Sequence, residues 1–376
     1  MDFSLTDEQQ AVKDLAAQIL QPRAPEAEKA VFPPDGDGID RSALRELADA
    51  NLLGLCLGDD VGGSGYANTE LAILLEEAGR ALTRLPLVQH FAAARTIDAD
   101  GADDLRQRVL PGAADGSTLL TVATAEEGAL EPDTVLTTAA ADGDDVVLTG
   151  TKTAVAAAAQ ATSILVTARD ADGSVLLALV APTADGVTLT ALENSSGEAE
   201  HRVDLAGVRV TAADVVARGA AGDTAFRHLL DQATVGVTAR AVGIADKMLS
   251  MTATYVTNRE QFGVPIGTFQ GIAIRVANAF IDVQATRACL WQATWRMDNG
   301  LTVDTELPVA KFWASEAAER VATSCVHLHG GMGVDTDYPL HHYYLASKVN
   351  ELTLGSASLT VDRLGRVLAE TAGASA

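Results

Sequence analysis

The feature that most constrains the fold is a break between two long helical patterns near residue 260. Apolar residues recur at helical spacing over Phe226–Thr257 and again over Gly271–Asn299. Gly263, Pro265 and Gly267 interrupt the pattern between them, and such a cluster of helix-breaking residues predicts a tight turn. Because long helices joined by a short turn lie antiparallel, we predict a helix bundle in the C-terminal part of the chain.

Helical patterns also occupy the N-terminal part and the rest of the C-terminal part. Thr6, followed by Asp7, Glu8 and Gln9, has the composition of a helix N-cap with acidic residues in the first turn. The later patterns cover Arg41–Ala50, Thr69–Leu82, Pro86–Ile97, Ala102–Leu110, Pro308–Leu328, Pro339–Lys348 and Ser356–Glu370. Since helices in the C-terminal part are apolar on more than one face, this part also predicts an oligomer interface.

The middle of the chain has a different period. Between residues 117 and 218, apolar residues alternate or form short runs separated by Gly, Asp and Asn, which predicts β-strands. The runs are Thr118–Thr124, Val135–Ala139, Val146–Thr149, Ser163–Thr167, Val175–Val180, Val187–Ala191 and Val203–Val210. Short strands at this spacing predict a small antiparallel barrel or sandwich. We therefore predict an α+β multidomain fold, with an N-terminal α-helical domain at 1–116, a middle β domain at 117–218 and a C-terminal helix bundle at 219–376.

The charge balance excludes two classes of partner. The formal net charge is -24, from 27 Lys and Arg against 51 Asp and Glu. Such an excess of acidic residues argues against binding to nucleic acid or to an anionic membrane surface, and serves solubility. The three cysteines lack the spacing of a metal site, so we expect no metal. Their pattern fits a reducing, cytoplasmic setting. The first six residues lack a basic n-region and an apolar h-region, so we expect no signal peptide, and no uncharged apolar run reaches transmembrane length.

Two motifs carry the chemistry of the C-terminal part. The first runs Arg-x-Gln-Phe-Gly-x-Pro-Ile from Arg259 to Ile266 and is followed by Gln270 at the start of the next helix. An arginine beside a helix N-terminus can bind an anion such as a pyrophosphate, although an ordinary turn with a surface arginine has the same residues. The second motif runs His-Leu-His-Gly-Gly-Met-Gly from His327 to Gly333.

In this order and at this spacing, the two motifs resemble the hallmarks of the acyl-CoA dehydrogenase family of flavoproteins, and the resemblance covers essentially the whole chain. It implies FAD as cofactor and the removal of two hydrogens from the α and β carbons of an acyl-CoA. In such enzymes a carboxylate base takes the α-proton while the flavin accepts the β-hydride. The FAD lies at a subunit interface, so each half of its site can be compared with this sequence separately.

The half-site for the adenine-diphosphate end of FAD is retained. The positions that match the cofactor-binding positions of the family are Arg259, Gln261, Phe262, Gln270, His327, Gly330, Gly331 and Gly333. His327 replaces the usual Gln but can still make one hydrogen bond. The glycines would let the backbone approach the dinucleotide closely.

The half-site for the isoalloxazine ring is eroded. The family's ring-binding loop aligns loosely with Ala125–Pro132, which lacks the hydroxyl and glycine that bring donors to the flavin. Beyond Lys152, the Trp that flanks the ring and the Thr that hydrogen-bonds it are replaced by Ala154 and Ala156. Two methyl groups supply neither a stacking face nor a donor.

The catalytic base is missing at both positions that the resemblance implies. The C-terminal base position aligns with Leu354, and the alternative position on the first long C-terminal helix aligns with Ala233. Glu351 and Asp231 are the nearest acids in the sequence and remain as displaced candidates. We expect the Glu351 carboxylate to face solvent, and Asp231 to point about 200° around its helix from residue 233.

Because the adenine-diphosphate half-site is retained and the isoalloxazine half-site is eroded, we predict a partner of the same fold that supplies the missing half. The chain resembles most the base-less subunit of the heteromeric acyl-CoA dehydrogenases with which actinobacteria shorten steroid side chains. This resemblance implies an α2β2 heterotetramer, with FAD and the acyl-CoA at the catalytic partner's site and a cholesterol-derived CoA thioester as substrate. An electron-transfer flavoprotein is a possible acceptor. Two alternatives remain open, which are a self-sufficient flavoenzyme with a displaced base and a flavin-free interaction protein of the same fold.

Overall fold

A computed structural model describes residues 4–25 and 37–374, with side chains through residue 370. Residues Met1–Phe3, on which part of the expectation about a signal peptide rests, lie outside this range. The first five helices, α1 to α5, are Asp7–Leu20, Arg41–Asp49, Asn68–Arg80, Leu87–Asp100 and Asp103–Asp115. Strands β1 to β8 are Leu120–Ala123, Thr138–Asp142, Asp145–Ala156, Ser163–Arg169, Val175–Val180, Val187–Leu192, Glu200–Val210 and Val215–Ala217. Helices α6 to α10 are Gly219–Asn258, Gln270–Asp298, Glu306–His329, Leu340–Leu352 and Ala357–Ala374.

The order of helices, sheet and helices along the chain confirms the predicted fold class. The expected cap of α1 is also confirmed, because Thr6 and Gln9 exchange side-chain and backbone hydrogen bonds of 3.1 and 3.2 Å. Helix α5 is longer than predicted and continues through Pro111 to Asp115. The buried side chains of Ala113 and Ala114 lie beyond the proline, so core packing holds a last turn that the proline alone would end.

The eight strands form a mixed sheet, which corrects the expectation of a wholly antiparallel barrel or sandwich. The order is β6-β7-β3-β2-β4-β5-β8, and β1 pairs in parallel with β4 from Leu120 to Ala123. Strand β2 also meets β4 in parallel, at Thr138 and Arg169. The remaining pairs are antiparallel. Alternating apolar residues of β3, β4, β5 and β7 form one core, which explains the period of two in the sequence.

The described chain divides into two compact units. The first contains residues 4–25, 68–83 and 237–374, and the second contains residues 37–67 and 84–236. The division at 116 and 218 that the sequence suggests stays a prediction.

In the first unit, α3 is capped by a carboxylate from a distant helix. Asp298, at the end of α7, accepts hydrogen bonds from the backbone N–H groups of Asn68 and Thr69 and from both side chains, at 2.7 to 3.1 Å. A carboxylate at a helix N-terminus satisfies free donors and complements the helix dipole. The two partners are about 230 residues apart in the chain.

Helices α3 and α6 pack with their backbones almost in contact. A Cβ on Gly243 would lie 2.0 Å from the carbonyl oxygen of Glu76, and one on Gly79 would lie 2.4 Å from that of Arg240. Only glycine fits at both positions. The Glu76 side chain pairs with Arg287 of α7 at 2.5 Å, so a charge-assisted contact adds α7 to the same crossing.

Within the described residues, no helix is both long enough and apolar enough to cross a bilayer. The same residues contain no group of three His, Cys, Asp or Glu side chains that could hold a metal ion.

Candidate functional site

The first sequence motif forms a small hairpin between α6 and α7, which we call the arginine hairpin (residues 259–268). Its two-residue turn, Phe262 and Gly263, has φ values of +55° and +78°. Positive φ at both central positions is the geometry of a type I′ turn, which favours Asn and Gly rather than a bulky side chain. Phe262 is nevertheless 94% exposed. The predicted tight turn is therefore present, and it presents an aromatic ring to solvent.

Arg259 lies at the base of the arginine hairpin with its guanidinium available. Its backbone N–H donates to the carbonyl of Tyr255, and its carbonyl accepts from Ile266, both at 2.8 Å. Its side chain is exposed and has no ion-pair or hydrogen-bond partner among the residues that the structure describes. Helix α7 begins at Gln270 with no acidic residue in its first turn. A free guanidinium and an unopposed helix N-terminus on adjacent segments can bind an anion.

The second motif forms the end of α8 and a following turn, Gly330–Val334, which we call the glycine turn. Gly330 has φ +61° and ψ −135°, a conformation that essentially only glycine adopts. Gly333 is required by packing, because a Cβ there would lie 2.5 Å from the carbonyl oxygen of Val326. Gly331 has open space around its Cα, and His327 is exposed. Gly330 and Gly331, where an added Cβ would meet no atom within 4 Å, are therefore the motif glycines that leave room for a ligand.

A cluster of aromatic side chains lies beside the glycine turn, and the sequence analysis did not assign it to a site. The rings of Tyr255 and His329 stack with centroids 4.3 Å apart, and Tyr338 lies 5.4 Å from His329 on the other side of the glycine turn in sequence. His329 is buried, which lowers its pKa, and its Nδ1–H donates to the carbonyl of Cys325 at 2.8 Å. The position of His329 inside the second motif was the signal that could have identified it.

On the second unit, the segment that aligns with the ring half is held by a buried ion pair. The Nζ of Lys152 lies 2.6 Å from Oε1 of Glu126 and donates to the hydroxyl of Thr167 at 3.0 Å. The same oxygen of Glu126 accepts the backbone N–H of Leu136. Burial lowers the pKa of Lys152 to about 8, although the carboxylate of Glu126 opposes that shift. These groups fix the loop Ala125–Pro132 to strand β3 through contacts within the fold.

Strand β3 is irregular at the two positions where the resemblance implies that a Trp and a Thr are replaced by alanine. A register shift against β7 lies between Lys152 and Val155, and Ala154 has φ +49° with an exposed side chain. Ala156 is half-buried and its carbonyl accepts the hydroxyl of Thr121 at 2.6 Å. Neither alanine carries a group that could stack on a ligand or donate to it.

The aligned base position lies in a turn between α9 and α10. Leu354 has φ +60°, and Gly355 follows with φ +100°. The expectation that Glu351 faces solvent is wrong, because its side chain is only 20% exposed and pairs with Lys348 at 2.9 Å. The carbonyl of Glu351 also accepts from the buried Lys311 and from Ser315, each at 3.0 Å. Residue 351 is thus held by Lys348 of its own helix α9 and by Lys311 and Ser315 of α8.

The other candidate positions lie on α6. Ala233 is buried and apolar, and Asp231 is half-buried. Because Ala233 cannot accept a proton and Leu354 cannot either, neither aligned position can supply a base. Asp231 and Glu351 remain candidates from the sequence alone.

Comparison with known proteins gives the same family from three directions. The model of the acyl-CoA dehydrogenase N-terminal domain matches residues 6–117, and that of the C-terminal domain matches residues 220–369. Acyl-CoA dehydrogenase FadE27 of Mycobacterium tuberculosis is 35% identical, over 99% of this chain and 100% of its own length.

Two solved complexes contain chains of similar structure. One is the ChsE4-ChsE5 complex of Mycobacterium tuberculosis, with a TM-score of 0.91 and 35% identity over 98% of this chain and 99% of the other. The second is a variant of the Tcur3481-Tcur3483 steroid ACAD, with a TM-score of 0.91 and 37% identity over the same shares. The expected cofactor is confirmed at the level of the family, whose members are FAD-dependent flavoproteins. The chain belongs to the acyl-CoA dehydrogenase family.

Proposed function

We propose that this chain is the base-less subunit of a heteromeric, FAD-dependent acyl-CoA dehydrogenase. The observation that carries the proposal is Leu354, which lies in a turn with φ +60° at the position where the resemblance places the base. Its side chain can neither take a proton nor polarise a thioester. The chain therefore contributes to catalysis by what it binds for a partner.

The residues of the first unit fit one end of FAD. Arg259 offers an unpaired guanidinium, α7 offers its N-terminus and Gly331 offers open backbone, which together suit a pyrophosphate. Gln261, Phe262, Gln270 and His327 are exposed around the same two segments. When bound, FAD supplies the hydride acceptor of the reaction. Arg259, Gln270 and the glycine turn would hold its adenine-diphosphate end.

The residues on strand β3 do not fit the other end of FAD. Lys152 and Glu126, which the sequence places near the lost Trp and Thr positions, form a buried ion pair with each other and are not free to bind a ligand. Ala154 and Ala156 leave the ring without a stacking face or a donor. In the proposed assembly the isoalloxazine ring, the base and the acyl-CoA therefore lie on the partner.

A surface for such a partner adjoins the arginine hairpin. A groove of about 830 Å³ lies between α6 and α7 and is lined almost entirely by apolar side chains. Pro265, Gly267 and Thr268 of the hairpin form one end of the groove. Phe280 and Ile281 of α7 are 54% and 60% exposed, as expected of side chains that a partner covers. The continuity of groove and hairpin supports a partner that covers both.

The similarity to chains of the ChsE4-ChsE5 complex and of a steroid ACAD supports the finer assignment. In this assignment two copies of this chain and two of a homologous catalytic subunit form an α2β2 heterotetramer in the cytoplasm, with two FAD per tetramer. The substrate is a CoA thioester of a steroid side chain, and an electron-transfer flavoprotein accepts the electrons.

The visible spectrum of the purified protein tests the proposal. The chain is purified alone and after co-expression with a homologous acyl-CoA dehydrogenase subunit that carries the base, and flavin absorbance and turnover of an acyl-CoA are measured. We expect bound FAD and activity only in the co-expressed sample. Bound FAD and turnover by the chain alone would support a displaced base such as Glu351 or Asp231. A flavin-free complex would support an interaction protein.

A further inference from the structure

The aromatic cluster joins the two segments of the adenine-diphosphate half-site. Tyr255 is on the last turn of α6 and His329 is the last residue of α8, and 74 residues separate them. Their rings are 4.3 Å apart and inclined by 25°, which is a stacked pair. The hydroxyl of Tyr255 also lies 3.5 Å from the carbonyl oxygen of His329. The ends of two helices are thus in direct side-chain contact.

Each ring is tied to one of the binding segments through the backbone. The carbonyl of Tyr255 accepts the N–H of Arg259 at 2.8 Å, so the position of the helix end sets that of the arginine. His329 immediately precedes Gly330, where the glycine turn begins. Tyr338 follows the glycine turn in the sequence, and its ring centroid lies 5.4 Å from that of His329. The stack therefore links the backbone position of Arg259 to that of the glycine turn.

His329 is itself held so that it can act as a fixed support. Its ring is buried, and the hydrogen bond from Nδ1–H to the Cys325 carbonyl fixes its orientation on α8. By contrast, the Arg259 side chain has no partner among the described residues. The arginine can reach a ligand shared with Gly331 only if its backbone is placed by a neighbour, and Tyr255, whose carbonyl accepts the Arg259 N–H, contacts α8.

We propose that Tyr255 and His329 are positioning residues, whose stack sets the separation between Arg259 and the glycine turn so that one dinucleotide contacts both. The inference rests on the proposed adenine-diphosphate half-site. A misplaced guanidinium loses most of a charge-assisted hydrogen bond, because that bond depends steeply on distance and angle. Loss of the stack should therefore weaken FAD binding through Arg259.

The test is a double-mutant cycle in the co-expressed complex. FAD is removed, and the Kd for added FAD is measured for wild type, Tyr255→Leu, Arg259→Ala and the double variant. Arg259→Ala should raise Kd roughly ten- to a hundredfold. Tyr255→Leu should raise it about fivefold, the scale of one aromatic pair, and should add little once Arg259 is absent. Tyr255→Phe keeps the ring and should restore a Kd close to that of wild type.

The outcomes separate this inference from the function it rests on. If Tyr255→Leu and Arg259→Ala are additive, the tyrosine supports the fold independently of the arginine, and the positioning role is wrong. If Arg259→Ala leaves the Kd unchanged, the half-site itself is wrong.

His329→Phe is a second variant for the case in which Tyr255→Leu does not assemble. It retains an aromatic face for Tyr255, so the Kd should stay within about twofold of wild type. A loss as large as that of Arg259→Ala would assign the effect to the imidazole nitrogens and would overturn the role of the stack.

Discussion

The arginine hairpin and strand β3 use their charged side chains in opposite ways. Arg259 is exposed and has no partner among the described residues. Lys152, on β3, is fully buried and is bound to Glu126 and Thr167. A charge without a partner in its own fold is available to a ligand, whereas a buried pair stabilises the loop that it joins. The charges on β3 therefore serve the fold, whereas the charge on the hairpin is available to a ligand.

The largest effect should come from breaking the buried pair. Glu126→Gln leaves the ammonium of Lys152 without its counter-charge, and we expect a loss of about 3–5 kcal/mol in the free energy of unfolding. Chemical denaturation at pH 7 measures the loss. Glu127→Gln, on the adjacent exposed residue, is the matched control and should change stability by less than about 0.5 kcal/mol. An equal effect of the two variants would show that the pair does not hold the loop.

The second effect concerns acid stability of the unit that contains the sheet. His90 is fully buried, its Nδ1 accepts the N–H of Leu120 at 3.2 Å, and burial lowers its pKa to about 4. The unfolded ring binds a proton below pH 6.5 and the folded ring does not. Stability should therefore fall by up to about 3 kcal/mol as the pH drops from 6.5 to 4, with no further loss from His90 below that.

His90→Gln tests this pH dependence. The amide oxygen can still accept from Leu120 but does not titrate. The unfolding free energy of wild type minus that of the variant should fall by up to about 3 kcal/mol between pH 7 and pH 4. Parallel curves would assign the acid sensitivity to other groups.

The third effect lies on the hairpin and should separate binding from stability. Arg259→Ala should reduce FAD affinity of the complex by about 1.5–3 kcal/mol, because a charge-assisted contact to pyrophosphate is lost. The unfolding free energy of the chain should stay within about 0.5 kcal/mol of wild type. Arg45→Ala, at an exposed arginine of α2 outside both motifs, is the control for FAD affinity. Unchanged flavin content in Arg259→Ala would make this arginine an ordinary turn residue.

The smallest expected effect gives the most information about the difference between the arginine hairpin and strand β3. Leu354→Glu restores a carboxylate at the aligned base position, yet we expect no second set of working sites. Ala154 and Ala156 cannot hold the ring, and a misplacement of about 1 Å can cost ~100-fold in rate. The measurements are FAD per tetramer and turnover, with Leu354→Gln as the uncharged control. Four FAD per tetramer with doubled activity would show that strand β3 still holds a flavin.

The sequence predicted local features of this fold well. Helical period, the Thr6 cap and the glycine–proline break locate the helices and the hairpin to within a few residues, because each signal is contained in a short stretch. Strand β8 was missed, since its three residues are too short to show a period. The parallel pairing of β1 with β4 was also missed, because pairing between strands distant in sequence leaves no local pattern.

The site was predictable to the same degree. The motif residues stand out in the sequence, but the reasons for the glycines do not, because the φ of Gly330 and the contact of Gly333 with Val326 are properties of the folded chain. The stack of Tyr255 on His329 was invisible for the same reason. Nor could the sequence show that Glu351 pairs with Lys348 rather than facing solvent, because the alignment gave only its distance from Leu354.

The cap that Asp298 places on α3 has a consequence for synthesis on the ribosome. Helix α3 is buried around nearly its whole circumference by α1, α6 and α7, and its capping partner Asp298 belongs to α7. From residue 83 to residue 298 the ribosome adds about 215 residues, which takes roughly 10 to 40 s. The sheet-containing unit is complete once residue 236 has emerged. Helix α3 can pack against α1 once both have emerged, but it must wait for its contacts with α7 and for its cap while the sheet-containing unit folds first. Nascent chains stalled before residue 298 should therefore be the ones that chaperones retain.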